Sequence, residues 1–506
     1  MKNIIVLDVG TTGMRLIIYN EVGKVKFSSY HEYNSDFVPP GFVTQNPLTW
    51  KNTLENNFKE AKLYIDKEKV KIAAISITSQ RSSVIPVDRE GNHLYPAIMW
   101  QDKRSIAICD KLLKKMSMQK IYKKTGLRMN PYFALPKMVW LKENEPQIYK
   151  QAYKLICVQD YLVKHLTGNF VSDWSHGCRT ALMNIKTFKW DADMIKLGGI
   201  DKNKLVDLVA PGSIGGHLTK RYAEMIGLPE ETPVVLSGGD QQNAAVGLNV
   251  IKPGVAEANF GTGAFMLAYS DKPAFDAKCR VLCGAAAIPG KYVIEAGMFN
   301  AGAIYRWIRN EFYNKEEGVN VEYEVINEEA MSSPIGAKGV MCVPHYEGCS
   351  APHWNSKAKG LFFNLSLGTK RGDIARAVLE GIANEMAENA QLIQKMIGDL
   401  KELSIAGGLA RSQFFNQICA DSFNTKVAYY ENPEASALGA LINACVTLKI
   451  YKNHNEAFKN IVPDKPAKLS PIKKNVPIYA EHRKRKDHLY DALNEAGIYD
   501  EFMIKE

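Results

Sequence analysis

The chain opens on IIVLDV, an apolar run rich in β-branched residues, turns at GTTG and returns as MRLIIYN. EVGK turns it again into VKFSSYHEY, so the first forty residues predict a meander of antiparallel strands with polar turns. GVAEANF, GTG and AFMLAYS, from residue 254, repeat the strand, Gly-Thr turn, strand plan about 250 residues later, which predicts two halves of one design. ALPKMVWLKENEPQIYKQAYKLICVQDYLVKHLTG has apolar residues at helical spacing and a stop at Gly168. DIARAVLEGIANEMAENAQLIQKM places Ile374, Ala377, Val378, Gly381 and Ile382 on one buried helix face. A glycine there costs about 1 kcal/mol relative to alanine, so Gly381 predicts a close packing contact. LSIAGGLARSQFFNQICADSF predicts a strand, a glycine turn and a helix. GLNVIKPG breaks the pattern near 247–254, which divides the chain into domains 1–250 and 251–506. The last forty residues are Pro- and Lys-rich, then charged and helical, and are expected to pack back on the first half.

With 506 residues, 46% hydrophobic and 23% charged, the chain has ample core material. No apolar stretch approaches the ~18 residues of a membrane span, and MKNIIVLDVG is too short and too soon acidic for a signal peptide. No membrane association and a cytoplasmic location are the resulting expectations. Nine scattered cysteines suit reduced thiols better than a disulfide framework. Cys279 and Cys283 lack a second Cys/His pair at zinc spacing and are expected to be structural. The net charge is +10, and much of the basic excess lies late, in residues 465–490. That run has no interleaved aromatics and no binding motif, so a solvated helix face is expected there and no nucleic-acid partner. A basic protein also suits a polyanionic small ligand such as a nucleotide.

The common nucleotide signatures are missing: there is no P-loop and no G-x-G-x-x-G after a strand. Three glycine turns after apolar strands remain, DVGTTGMR, NFGTGAF and AGGLARS. Glycine lets backbone approach an anion closely, and turn amides with Thr hydroxyls can hold phosphate oxygens; the other reading is plain tight turns. Asp8 offers a carboxylate to magnesium and Arg15 a guanidinium to phosphate. VVLSGGDQQNAAVG sets one carboxylate, Asp240, among glycines behind an apolar run. By itself that is either a solvated turn or a site.

DVGTTGMR, GGDQQNAAVG, NFGTGAF and GGLARSQFFNQICAD occur in the order and near the spacings of the FGGY carbohydrate kinases. PAIMWQDKR, NPYFALPKMVWL, SDWSHGCRTALMNI and GCSAPHWNSKAKGLFFNLSLG extend the resemblance almost from end to end, with a pattern nearest glycerol kinases. It implies an α/β chain of two actin-like (ribonuclease H-like) ATPase domains with an interdomain cleft, ATP largely on the second domain and the sugar or polyol on the first. It implies ATP and Mg²⁺ as cofactors, and a homodimer or tetramer. Asp240 matches the catalytic base, and Gln241 a substrate contact. Thr11, Thr12 and Arg15 match the first phosphate loop; Thr262 and Gly263 match the second. Gly302 and Arg306 fall where the family contacts ATP, Arg306 replacing a usual glutamine. Gly407 and Gly408 match the adenosine turn, and Ser412, replacing an asparagine, the helix start after it. Asp8 and Asp240 are the implied magnesium carboxylates. A carboxylate is a weak base, but phosphoryl transfer needs alignment and charge neutralisation more than a strong one.

The resemblance weakens at the acceptor site. Glycerol kinases carry Gln-Arg-Glu where this chain reads Gln80-Arg81-Ser82. Arg81 is kept, but a carboxylate that accepts from two hydroxyls gives way to a shorter group that both donates and accepts. Trp100 and Tyr132 match the glycerol-site aromatics, and Phe265 the aromatic after the second phosphate turn. Xylulose kinases usually carry Met-His at the Arg-Ser position, which this chain lacks. The expected reaction is transfer of the γ-phosphate of ATP to a hydroxyl of a small polyol or sugar. A pentulose or other ketose kinase is the alternative, and an actin- or chaperone-like nucleotide switch a remote one.

Overall fold

A computed structural model describes residues 2–314, 320–431, 434–462 and 466–502. They form two compact units. The first holds Met1–Ile251, Ser270–Val293 and Glu434–Pro463; the second holds Lys252–Tyr269, Ile294–Pro433 and Asp464–Glu506. The first unit therefore takes in two segments from beyond residue 250.

In the first unit the opening meander forms as its alternating pattern requires. Strands Asn3–Val9, Gly13–Asn20 and Val25–Glu32 pair antiparallel in sequence order. Strand Ile72–Ser79 joins parallel beside Asn3–Val9, Pro233–Gly239 parallel beside it, and Ile214–His217 antiparallel at the edge. The parallel strands are almost wholly apolar because helices cover them. Ile5, Leu7, Ile75, Ile77, Val234 and Leu236 lie in one buried cluster with Trp50, Leu54 and Phe58 of the helix Pro47–Glu68. Strand register aligns the ends of the parallel strands. Val9 pairs with Ser79, and Ser79 with Gly239, so three parallel strands end in one row. The loops leaving that row, at Gly10, Gln80 and Asp240, emerge side by side, at the carboxyl edge where open α/β sheets bind ligands.

The long helical stretch ending at Gly168 is interrupted. Helices Ala134–Asn144 and Pro146–Gln151 precede a short strand, Lys154–Ile156, and the helix Val158–Thr167. Pro146 starts a new helix, as proline at a first turn does, and Gly168 closes the last one with φ +79°. All nine cysteines are buried free thiols, Cys279 and Cys283 included.

In the second unit strand Val255–Phe260 makes a hairpin with Ala264–Ser270 and lies parallel to Glu402–Ala406, which lies parallel to Lys426–Tyr429. This is the plan of the first sheet again. The helix Arg371–Ile397 runs behind it; a Cβ on Gly381 would sit 2.6 Å from the Cys342 carbonyl oxygen, the close contact expected of that glycine. The basic helix Val476–Glu495 packs here, against Arg371–Ile397 and Gln413–Phe423, rather than on the first unit. It is only in part a solvated face. Arg483 and Lys486 are buried, Lys486 because Glu385 and Glu388 of the long helix receive its ammonium. Lys465, which opens the basic run, lies outside the described residues. Among the described residues no helix is long and apolar enough to cross a membrane.

Candidate active site

Asp240 is the first residue of the helix Asp240–Gly247, directly after the strand Pro233–Gly239. The two glycines before it are there for space. Gly238 holds φ +111°, and a Cβ on it would lie 2.9 Å from Ser175 Oγ. On Gly239 a Cβ would lie 2.5 Å from Arg81 Cδ. The Arg81 side chain thus lies over the turn, its Nε 3.4 Å from Asp240 Oδ1. The Gln241 amide donates to the same oxygen at 2.7 Å. Behind the carboxylate runs the helix Ala435–Thr447. Ser436 Oγ donates to the Asp240 carbonyl, and the crossing needs glycines on both sides: a Cβ on Gly439 would sit 1.9 Å from the Asn243 oxygen, and one on Gly247 2.2 Å from the Ala435 oxygen.

Around Asp240 the first unit gathers most of the expected acceptor-site residues. Ser82 is buried in a left-handed conformation, φ +71°. Among the described residues its Oγ has no hydrogen-bond partner, and neither has the buried Gln241 Oε1. Trp100 Nε1 donates to Thr11 Oγ1 at 3.0 Å, and the Trp100 ring tilts against Tyr132 at 5.4 Å. Lys137, which sequence reasoning did not single out, is fully buried and donates to the carbonyls of Pro131 and Tyr132, each at 2.7 Å, and of Ser82 at 3.4 Å. It ties the Tyr132 loop to the Ser82 turn. Only its place in NPYFALPKM could have marked it.

The first phosphate-type turn closes through Gly10 N–H to Gly13 O, with the Gly10 carbonyl accepting from Tyr33 and Gln80. Thr12 is exposed and Thr11 partly so. Arg15, opposite Asp8 in the hairpin, ion-pairs with Glu434 at 2.6 Å and covers the Tyr30 ring. Glu434 was not foreseen, since no local pattern links residues so far apart in sequence. Desolvation, then Asp240 and Glu434, raise the Asp8 carboxyl to about 7, with Arg15 opposing. Three carboxylates against two guanidiniums, Arg15 and Arg81, still leave an excess of hard anionic oxygen, a donor set that fits a magnesium ion.

In the second unit a cavity of about 470 Å³ brings together residues from five separate segments of the chain. Thr262, Gly302, Arg306, Gly408 and Ser412 line it, with Tyr305, Tyr323 and Phe415. The glycines are again spatial: a Cβ on Gly302 would lie 2.5 Å from the Gly261 oxygen, and on Gly407, φ +93°, 2.6 Å from Asn259 Oδ1 and the Phe260 carbonyl. Ser412 caps the helix Gln413–Phe423, its hydroxyl accepting from Phe415 N–H. Gly263 is outside this lining and packs on the carbonyls of Met298 and Phe299. Phe265 also belongs to the second unit, 40% exposed and close to Gly297.

A fold of this kind, with a carboxylate at the carboxyl edge of one sheet and a glycine-lined cavity in the second unit, is that of a two-domain α/β protein with the actin-like ATPase fold. The family models for the N-terminal and C-terminal domains of the FGGY carbohydrate kinases match residues 3–247 and 256–448, and the chain belongs to that family, whose members are ATP-dependent phosphotransferases acting on hydroxyl groups. It is 31% identical over 465 residues to a glycerol kinase of Thermococcus gammatolerans, covering 90% of this chain and 91% of the relative. It is 30% identical over 446 residues to a gluconokinase of Bacillus subtilis, covering 86% of each. A ligand-bound xylulose kinase from Lactobacillus acidophilus superposes with a TM-score of 0.93 at 26% identity, over 99% of this chain and all of that one.

Proposed function

We propose that this kinase phosphorylates a small polyol or sugar longer than glycerol, held by Arg81, Ser82, Trp100, Tyr132 and Gln241 with Asp240 as general base. The observation that carries the reading is the pair of buried acceptor-capable oxygens beside the Asp240 turn, Ser82 Oγ and Gln241 Oε1, that lack partners among the described residues. A buried polar atom left alone costs about 1–3 kcal/mol, and a hydroxylated ligand removes that cost. Ser82 leaves more room than a glutamate and no charge, which favours an acceptor with a longer neutral chain of hydroxyls.

In the reaction the acceptor hydroxyl attacks the γ-phosphorus of ATP. Its proton passes to the Asp240 carboxylate as the new O–P bond forms, the bond from the γ-phosphorus to the β-phosphate oxygen breaks, and ADP leaves. Asp8 and Asp240 would hold magnesium, which supplies neutralisation of phosphate charge. Thr11, Thr12, Arg15, Thr262 and Gly263 serve the phosphates; Gly302, Arg306, Gly407, Gly408 and Ser412 serve the nucleotide, a role supported by the cavity that four of these five residues line. Phe265, of the second unit, is assigned to the acceptor by its place in the NFGTGAF motif. The nine reduced thiols suit work in the cytoplasm.

The test offers Mg-ATP with glycerol, erythritol, threitol, xylitol, xylulose, ribulose, erythrulose or gluconate, and follows ADP release. Preference for a four- or five-carbon polyol is expected. Preference for glycerol or gluconate overturns the substrate reading, and preference for a ketose moves it to the pentulose class.

A further inference from the structure

Beneath the Asp240 turn lies a closed polar cluster whose hydrogen-bond directions fix a charge. His176 is wholly buried; its Nδ1 is 3.2 Å from Asp173 Oδ2 and its Nε2 3.0 Å from Ser79 Oγ. Asp173 is an acceptor. Ser175 donates to its Oδ1 through both backbone amide and hydroxyl, and Gln159 Nε2 donates to its Oδ2 at 2.6 Å. Burial opposes ionisation there, but His176 and these donors hold the carboxyl below the usual carboxylate range. The Nδ1 of His176 therefore carries a proton. The Ser79 hydroxyl has one proton to give, and it lies 2.9 Å from the Gln80 carbonyl, which can only accept. With that proton committed, Ser79 Oγ accepts from Nε2. Both ring nitrogens then donate, which only the imidazolium can do.

The surroundings agree. The charges facing the ring are carboxylates: Asp173 beside it, Asp160 on the helix Val158–Thr167, and Asp240. Burial works against the cation, and these three outweigh it, so the ring titrates above the ordinary histidine value. Of the nearby guanidinium groups, Arg81 pairs with Asp240, and Arg179 lies over the rings of Tyr132 and Phe133.

We propose that His176 is a buried imidazolium that positions the acceptor-binding turn and the catalytic base together. On one side it holds Ser79, the residue before Gln80-Arg81-Ser82. On the other its partner Asp173 holds Ser175, whose Oγ accepts from the Gly239 amide at 2.9 Å, one residue before Asp240. A neutral ring would draw the Ser79 proton to itself and release the Gln80 carbonyl, loosening the turn that carries Arg81. The positioning role rests on the reading of Asp240 as the base.

The test is ¹⁵N NMR of the full-length enzyme labelled at its ten histidines, with the His176 signal identified by its loss in H176N and, independently, in H176Q. The expected result is one ring with both nitrogens protonated at pH 8, where ordinary histidines are neutral. A neutral ring, or no doubly protonated ring at all, overturns the proposal; this signal needs no turnover and so stands apart from the roles given to Asp240. In kinetics, H176N and H176Q are expected to lower kcat/KM for the acceptor by about tenfold or more while the KM for ATP stays within twofold. Unchanged kcat/KM in a folded variant overturns the positioning role.

Discussion

Arg81 Nε lies 3.4 Å from Asp240 Oδ1, although 159 residues separate them in the chain and only strand register brings them together. The guanidinium steadies the carboxylate without sealing it, since a quarter of the Asp240 side chain stays accessible. Asp240→Asn keeps the shape and the helix start but removes the proton acceptor. The expected result is a fall in kcat of about 10²–10⁴-fold with ATP binding by calorimetry unchanged. Full turnover by D240N would remove Asp240 from the mechanism.

Ser82 combines a left-handed backbone with an unpartnered buried hydroxyl, so its two features can be separated by substitution. Ser82→Gly keeps the backbone at ease and deletes the hydroxymethyl group, hydroxyl included. It should hold or raise thermal stability while raising KM for the acceptor about tenfold, the worth of one good hydrogen bond. A KM unchanged for every acceptor would mean that Ser82 faces no ligand.

Lys486 is buried between two carboxylates of a neighbouring helix, donating to Glu385 and, at 3.2 Å, to Glu388. Removing it leaves the buried Glu385 ion-paired only with His345, and Glu388 only with His353, among the described residues. Lys486→Met is expected to cost about 3–5 kcal/mol in urea unfolding. The double variant K486M/E385Q should recover part of the loss, because one of the two carboxylates goes with it. A single variant as stable as the parent would show that water already reaches the pair.

The sequence showed what is local and hid what is not. Gly-Gly-Asp after an apolar run marks a strand end and a helix start without help from any other part of the chain. Nothing local places Val9, Ser79 and Gly239 in one row, because pairing across 70 and 160 residues is settled by packing. For the same reason Arg15 could be read only as a free phosphate ligand, while its partner Glu434 returns from the far end of the chain. The basic helix looked solvated because the carboxylates that bury Lys486 lie about a hundred residues earlier. Helical spacing ran across Lys154–Ile156 because three residues of strand are too few to break a periodic signal.

His165 gives a pH dependence whose sign is fixed by its surroundings. Its ring packs edge-on to Tyr161 at 4.6 Å, and its Nε2 is buried with no partner among the described residues. Burial first, then Lys51, Lys164 and Arg221, push its pKa down to about 4. In the unfolded chain the same ring titrates near 6.5. Between those values the unfolded state binds the extra proton and the folded state does not, so stability falls as pH drops from about 6.5 to about 4 and then levels off. Above 6.5 neither state is protonated and this group adds no slope. Partial exposure trims the effect to about 2 kcal/mol. His165→Gln, which cannot titrate, should flatten this part of the curve of urea stability against pH. An identical slope in parent and variant between pH 4 and 6.5 would assign the loss to other groups, such as the likewise depressed His454.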